Sequence, residues 1–325
     1  MMINVNDVAP EKRKEVEAEL REFFGPCAKD LSVFIDIIVT GKFSEVVGRI
    51  LTEKCGVKLP YNAKHSEVVA YGKTIPYKRD SELSFALVFD ASVFGKWEEE
   101  QRLFRLLTFS HEKVHIEDEK ILCDDIGIDA FLTEPMTAED IFFRLAHDIW
   151  MEYNAERYSI EIFMSALKEL HSDATVNFNW HQGYVGSYIS LLKSLPDFLK
   201  DSTIEFMNWK MKIEQFWPKM YLRLRETLVL AAFTSAHSDV LSKTNEDLVN
   251  LGRNQCYSFF FDTWRFVETT LRKIYETERR YDKGLLTDIA NELRAFFERC
   301  GATLSNLSEG VYVAVDTVKS FDLRI

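Results

Sequence analysis

The chain has 325 residues, enough for one large domain or two ordinary ones, and 46% are apolar, so a sizeable core can form. A formal net charge of -12 works against a nucleic-acid partner, whose phosphates need clustered lysine and arginine. With 25 Phe, 12 Tyr and 6 Trp against 13 Gly and 7 Pro, the composition favours long helices packed through aromatic rings over a sandwich of short strands. The N-terminal stretch Asn6-Asp7-Val8-Ala9-Pro10-Glu11-Lys12-Arg13 has no apolar core behind it, and no run approaches the roughly 18 apolar residues of a membrane span. Cys27, Cys55, Cys123, Cys256 and Cys300 are scattered and never in CxxC spacing, which speaks against a disulfide framework or a thiolate zinc site. A soluble cytoplasmic protein, with no membrane partner, is expected.

The first 60 or so residues read as helices. Glu11–Phe24 is charged and amphipathic, Leu31–Val39 is strongly apolar, and Phe43–Glu53 sets Phe43, Val46, Val47, Ile50 and Leu51 at helical spacing. Strand character appears next at 67–71, ended by Gly72, and at Leu83–Phe89, bounded by Asp80-Ser81 and Asp90-Ala91-Ser92. A helix is expected from about Lys96 to Leu122, then a loop with Gly127, Glu134 and Pro135. Thr137 reads as the N-cap of a helix that can run to Leu170 without Pro or Gly. Beyond His171 the chain is mostly helical, over about 183–200, 203–215, 217–240, 255–282 and 284–299. Gly301 caps the last of these, and 310–318 alternates as a terminal strand. The run Glu278-Arg279-Arg280-Tyr281-Asp282-Lys283 is mixed in sign and reads as a solvated helix face. The fold class is α+β, predominantly helical, with a small sheet and a large C-terminal helical region. Soft boundaries near 62 and 172 give regions 1–62, 63–172 and 173–325.

Chemistry concentrates at His111-Glu112-Lys113-Val114-His115. Histidines four apart share a helix face, so both imidazoles can reach one ion, and Glu112 beside them can act as base toward a metal-activated water. Further along, Glu152-Tyr153-Asn154-Ala155-Glu156 puts two carboxylates four apart on another helix face.

Together these motifs resemble the gluzincins, zinc peptidases with HExxH on one helix and a glutamate on a later one, and more closely the ImmA/IrrE-type metallopeptidases with their ExxA segment. The likeness covers about 83–160. It implies a zincin-like core in region 63–172, a Zn²⁺ cofactor and a peptide or protein substrate. His111, His115 and Glu152 would be the ligands, and Glu112 the general base. Glu156 would be the acid that holds a ligand histidine through its other ring nitrogen. Ala155 would let the two helices approach closely. Two features depart from the pattern: Lys113 is charged where an uncharged residue is usual, and Glu152 comes 37 positions after His115 (152 − 115).

Other residues compete for roles. Asp118, between Glu117 and Glu119, is a candidate third ligand, though a solvated acidic turn is the plainer reading. Asp148, one turn before Glu152, is a candidate outer-shell acid or alternative ligand, and His147 reads as a packed or surface histidine. His181, Tyr153 and Tyr158 are candidates to stabilise an oxyanion. His65, His171 and His237 have no supporting neighbours. A catalytically silent zincin-like module, with the C-terminal helices as partner surface, is the second reading. A di-iron carboxylate bundle is the third, because Glu112-x-x-His115 is also an ExxH, but such bundles need a second ExxH and the chain has none. GxxxxGK[ST], GxGxxG and GxSxG are absent, so nucleotide binding and a hydrolase elbow have no support.

Overall fold

The computed structural model describes residues 1–56, 64–65, 68–95, 99–170, 179–242, 245–277, 281–308 and 310–316. In chain order the elements are β1 (Met2–Val5), α1 (Arg13–Asp30), β2 (Phe34–Thr40), α2 (Phe43–Cys55), β3 (Lys64–His65), β4 (Val68–Val69), β5 (Gly72–Arg79), β6 (Glu82–Asp90), α3 (Glu99–Ile126), α4 (Ile128–Leu132) and α5 (Ala138–Leu170). After these come α6 (Asn179–Met207), α7 (Ile213–Leu241), α8 (Glu246–Gly252), α9 (Ser258–Glu276), α10 (Lys283–Arg299), β7 (Ala302–Leu307) and β8 (Gly310–Val315). The fold is α+β and mainly helical. No helix among the described residues is long and apolar enough to cross a membrane.

The described residues divide into two compact units. The first holds Met1–Glu134 and α5 from Ala155 onward; the second holds Pro135–Asn154 and the chain from α6 onward. Helix α5 therefore contributes to both without a break.

In the first unit a sheet runs in the order β1-β2-β6-β5, with β1, β2 and β6 parallel and β5 antiparallel to β6. Strand β6 is buried from Leu83 through Phe89, so both its faces are covered. Alternation divides the labour. Ala86 and Val88 meet Phe43, Val47 and Ile50 of α2, together with Ile75 and Tyr77 of β5. Phe89 points the other way and joins Phe24 of α1 and Phe109 of α3, at ring separations of 5.9 and 5.1 Å. Strands β5 and β6 are joined by Asp80-Ser81, both with positive φ (50° and 70°), which is the backbone of a two-residue type I′ hairpin. Pro76 is tolerated in β5 because that strand is at the sheet edge.

The expected helix over Leu31–Val39 is overturned: Phe34–Thr40 is strand β2, paired along its whole length with β6. Its β-branched residues Ile35, Ile37, Ile38 and Val39 suit a strand buried between helices. Strand β1 also lies in the stretch expected to be helical; of the strand expected over 67–71, Val68–Val69 forms β4, Ala70 and Tyr71 do not continue it, and residue 67 lies outside the described residues. Strand β5 is an addition to the expected elements: Gly72, a break in the sequence pattern, is its first residue.

The second unit is a helical assembly with a β-hairpin. Helices α6 and α7 form an antiparallel-type hairpin around the turn 208–212, in which Lys210 N–H bonds to the Glu205 carbonyl at 2.9 Å. The sequence placed a helix break near 200–203; instead α6 continues to Met207. Trp150 and Tyr153 of α5, Phe216 and Leu228 of α7, Phe260 and Val267 of α9, and Phe296 of α10 are buried in this unit. Asp282 caps α10 by accepting from Leu285 N–H at 2.9 Å, and Gly301, with φ +90°, stands after its last turn in the left-handed conformation that favours glycine. Residues 278–280 of the charged run, and 317–318 of the expected terminal strand, lie outside the described residues.

Candidate metal centre

Helix α3 carries the histidines because its buried side is continuous. Leu107, Phe109, Val114, Ile116 and Leu122 are buried, and Phe109 contacts Phe23, Phe24, Phe89 and Phe94. Packing against the sheet fixes the helix's rotation, and with it the direction of His111 and His115. The two Nε2 atoms lie 2.9 Å apart. His111 Nδ1 lies 3.1 Å from Glu156 Oε2 on α5. A carboxylate at Nδ1 holds the proton there, which leaves the His111 Nε2 lone pair facing its neighbour.

One turn before Glu156 on α5 stands Glu152. His111, His115 and Glu152 each offer a ligand atom, and these atoms all lie within 4.8 Å of one another. Two imidazoles and a carboxylate are the donor set of many catalytic zinc sites. Zinc with Zn–N near 2.0–2.1 Å in tetrahedral geometry holds ligand nitrogens about 3.3 Å apart. The pair at 2.9 Å needs only a small opening to match, so the residues fit the ion.

Glu112 is buried beside this cluster. Its Oε2 accepts from the Thr74 hydroxyl of β5 at 2.7 Å. A Cβ built on Gly72, also in β5, would stand 2.7 Å from Glu112 Oε1. Sequence reasoning gave Thr74 no role and read Gly72 only as the end of a strand. Lys113, the charged departure from the family pattern, turns aside to Glu117 at 3.5 Å. Ala155 is fully buried.

The remaining candidates take other places. Asp118 is buried, not part of a solvated turn. Asp148 Oδ2 accepts from Arg225 Nε at 3.0 Å. Asp148, with Glu152 among the lesser causes, raises the pKa of the Arg225 guanidinium above its ordinary value. Burial and then Asp148 push Tyr221 up to about 12. The Tyr153 hydroxyl donates to Asp239 Oδ2 at 2.5 Å, which commits it to the second unit's interior, and Tyr158 is half-buried on α5. His147 is buried against Trp150, and His237 against Tyr184. His181 is in α6 and His65 in β3, but their side chains, like all of His171, lie outside the described residues. All five cysteines carry thiols and none forms a disulfide.

Comparison of the chain with protein-family models, with curated proteins and with solved structures finds no match in any of the three.

Proposed function

We propose that this chain is a zinc-dependent metallopeptidase built on a zincin-like core, with His111, His115 and Glu152 as ligands. The observation that carries the reading is the convergence of those three ligand atoms within 4.8 Å, beside a buried glutamate. Zinc, when bound, acidifies a water and polarises a carbonyl. Glu112 takes the proton of the attacking water and delivers it to the leaving amine. Glu156 holds His111 in the tautomer that offers Nε2. A peptide substrate is supported by β5, which is an edge strand among the described residues and whose Gly72 and Thr74 border Glu112. An edge strand can accept an extended chain by backbone hydrogen bonding. Five scattered cysteines, never in CxxC spacing, suit a reducing compartment such as the cytoplasm.

The test is metal analysis of protein purified under zinc-replete conditions, with turnover measured on a quenched-fluorescence peptide library. One zinc per chain is expected in the wild type and in Glu112→Ala, none in Glu152→Ala, and turnover only in the wild type. Wild-type protein without zinc would falsify the site. Stoichiometric zinc with no cleavage would instead favour a catalytically silent module.

A further inference from the structure

We infer that Thr74 is the positioning residue of Glu112, and that Gly72 keeps clear the space its carboxylate occupies. The inference rests on the peptidase reading of Glu112 and adds to it two residues of a different element. Alternation along β5 puts Gly72 and Thr74 on one face and Ile75 and Tyr77 on the other. Ile75 and Tyr77 pack with α2, so the Gly72–Thr74 face is turned the opposite way, to α3.

A glutamate has three rotatable side-chain bonds, and a base must keep its oxygens within hydrogen-bond reach, about 2.6–3.2 Å, of the atom whose proton it takes. Burial alone does not select among those rotamers. Threonine is branched at Cβ and stiff at χ1, so on a strand its hydroxyl has little freedom. Thr74 is buried, and its Oγ1 lies 2.7 Å from Glu112 Oε2 and 3.3 Å from the Glu112 backbone oxygen. It has one proton to give, and the carboxylate is the nearer and more strongly accepting partner.

Gly72 supplies the second half of the cradle. A Cβ there would meet Glu112 Oε1 at 2.7 Å, Cγ at 2.9 Å and Cδ at 3.0 Å. Gly72 does not have a positive φ, so its backbone accepts alanine. What must give way in Gly72→Ala is the Glu112 side chain from Cγ outward, since all three close atoms are side-chain atoms. This variant therefore moves the carboxylate, and its zinc content checks that the three ligand residues stay in place.

Thr74→Val, Thr74→Ser and Gly72→Ala are compared with wild type for zinc content and for kcat and KM on a cleaved member of the peptide library. Loss of a hydrogen bond to a charged group is expected to lower kcat about 10- to 100-fold in Thr74→Val. KM and zinc content should hold, and Thr74→Ser should restore most of kcat. Gly72→Ala should fall in kcat with zinc retained. A melting-temperature cycle on metal-free protein, with Thr74→Val, Glu112→Gln and the double variant, reads the contact without turnover: the two single losses should exceed the double loss in sum. Thr74→Val with wild-type kcat, or strictly additive melting losses, overturns the inference and leaves the peptidase reading standing. Wild-type protein that binds zinc and cleaves nothing removes the peptidase reading and the positioning role together.

Discussion

Glu156 Oε2 stands 3.1 Å from His111 Nδ1, and Glu156 lies one turn beyond Glu152 on the same helix. One face of α5 thus offers a carboxylate to the ligand cluster and a second carboxylate to the back of one of its histidines. The two roles are separable by substitution. Glu156→Gln keeps a hydrogen-bond acceptor but loses the charge that fixes the proton on Nδ1. Zinc affinity is expected to fall about 10- to 100-fold, the usual effect of removing such a partner. Glu152→Ala should fall much further. Competition with a chromophoric chelator at fixed pH measures both, and unchanged affinity in Glu156→Gln would make the pair a packing contact without influence on the ion.

The orientation of α3 depends on its aromatic anchor. Phe109 is two residues before His111 and sits among Phe23, Phe24, Phe89 and Phe94. Phe109→Ala should cost about 3–5 kcal/mol, the range for emptying a buried phenylalanine site. Chemical denaturation gives the value. A loss below about 1 kcal/mol would mean the neighbouring rings collapse into the space, and that α3 is held chiefly elsewhere.

How much of the molecule is legible in the sequence depends on how local the physics is. Helix α5 can be read from Thr137 onward because a cap is a contact between close neighbours: Asp140 N–H bonds to Thr137 Oγ1 at 3.1 Å. The pairs His111/His115 and Glu152/Glu156 are legible for the same reason, since four-residue spacing fixes a shared helical face. Strand β2 is not, because a short apolar run satisfies a buried strand and a buried helix equally, and only its neighbours in the sheet decide. Strand β5 hides behind Gly72, Pro76, Lys78 and Arg79, residues that suit an edge but weaken any strand signal. Thr74 is beyond reach altogether: it meets Glu112 across 38 residues, and no spacing rule links a strand hydroxyl to a helix carboxylate.

The thiols divide by burial. Cys27, Cys123 and Cys300 are buried, while Cys55 and Cys256 are exposed. An aromatic disulfide reagent at pH 8 should titrate two thiols on the folded chain and five after denaturation. Cys55 should be the slower of the exposed pair, because burial of its sulfur raises its pKa. A third rapidly reacting thiol on the native protein would show that α1 around Cys27, α3 around Cys123 or the chain just after α10 around Cys300 opens readily.

Alkaline pH should weaken the fold, because burial raises the pKa of Tyr221, Tyr188, Cys27, Cys55, Cys123 and Cys300 alike; Tyr221 and Cys27 show how the sign arises. Tyr221 is pushed from 10.0 to about 12, first by burial and then by Asp148. Cys27 is pushed from 9.0 to about 12, first by burial and then by Glu117. Both are neutral when protonated. Between their unfolded and folded values the folded chain keeps protons that the unfolded chain has released. The unfolded state then binds fewer protons, so stability falls as pH rises. The contribution is fully present below about 9 for Cys27 and 10 for Tyr221, and is lost as pH climbs toward 12. Melting temperature followed from pH 8 to 11.5 should be level at first and then decline. Tyr221→Phe, which cannot ionise, should make the decline above pH 10 shallower, with Tyr188 supplying the rest, and Cys27→Ala should make shallower the part that begins near 9, shared with Cys55, Cys123 and Cys300. Parallel curves for the wild type and both variants would assign the alkaline loss to other groups.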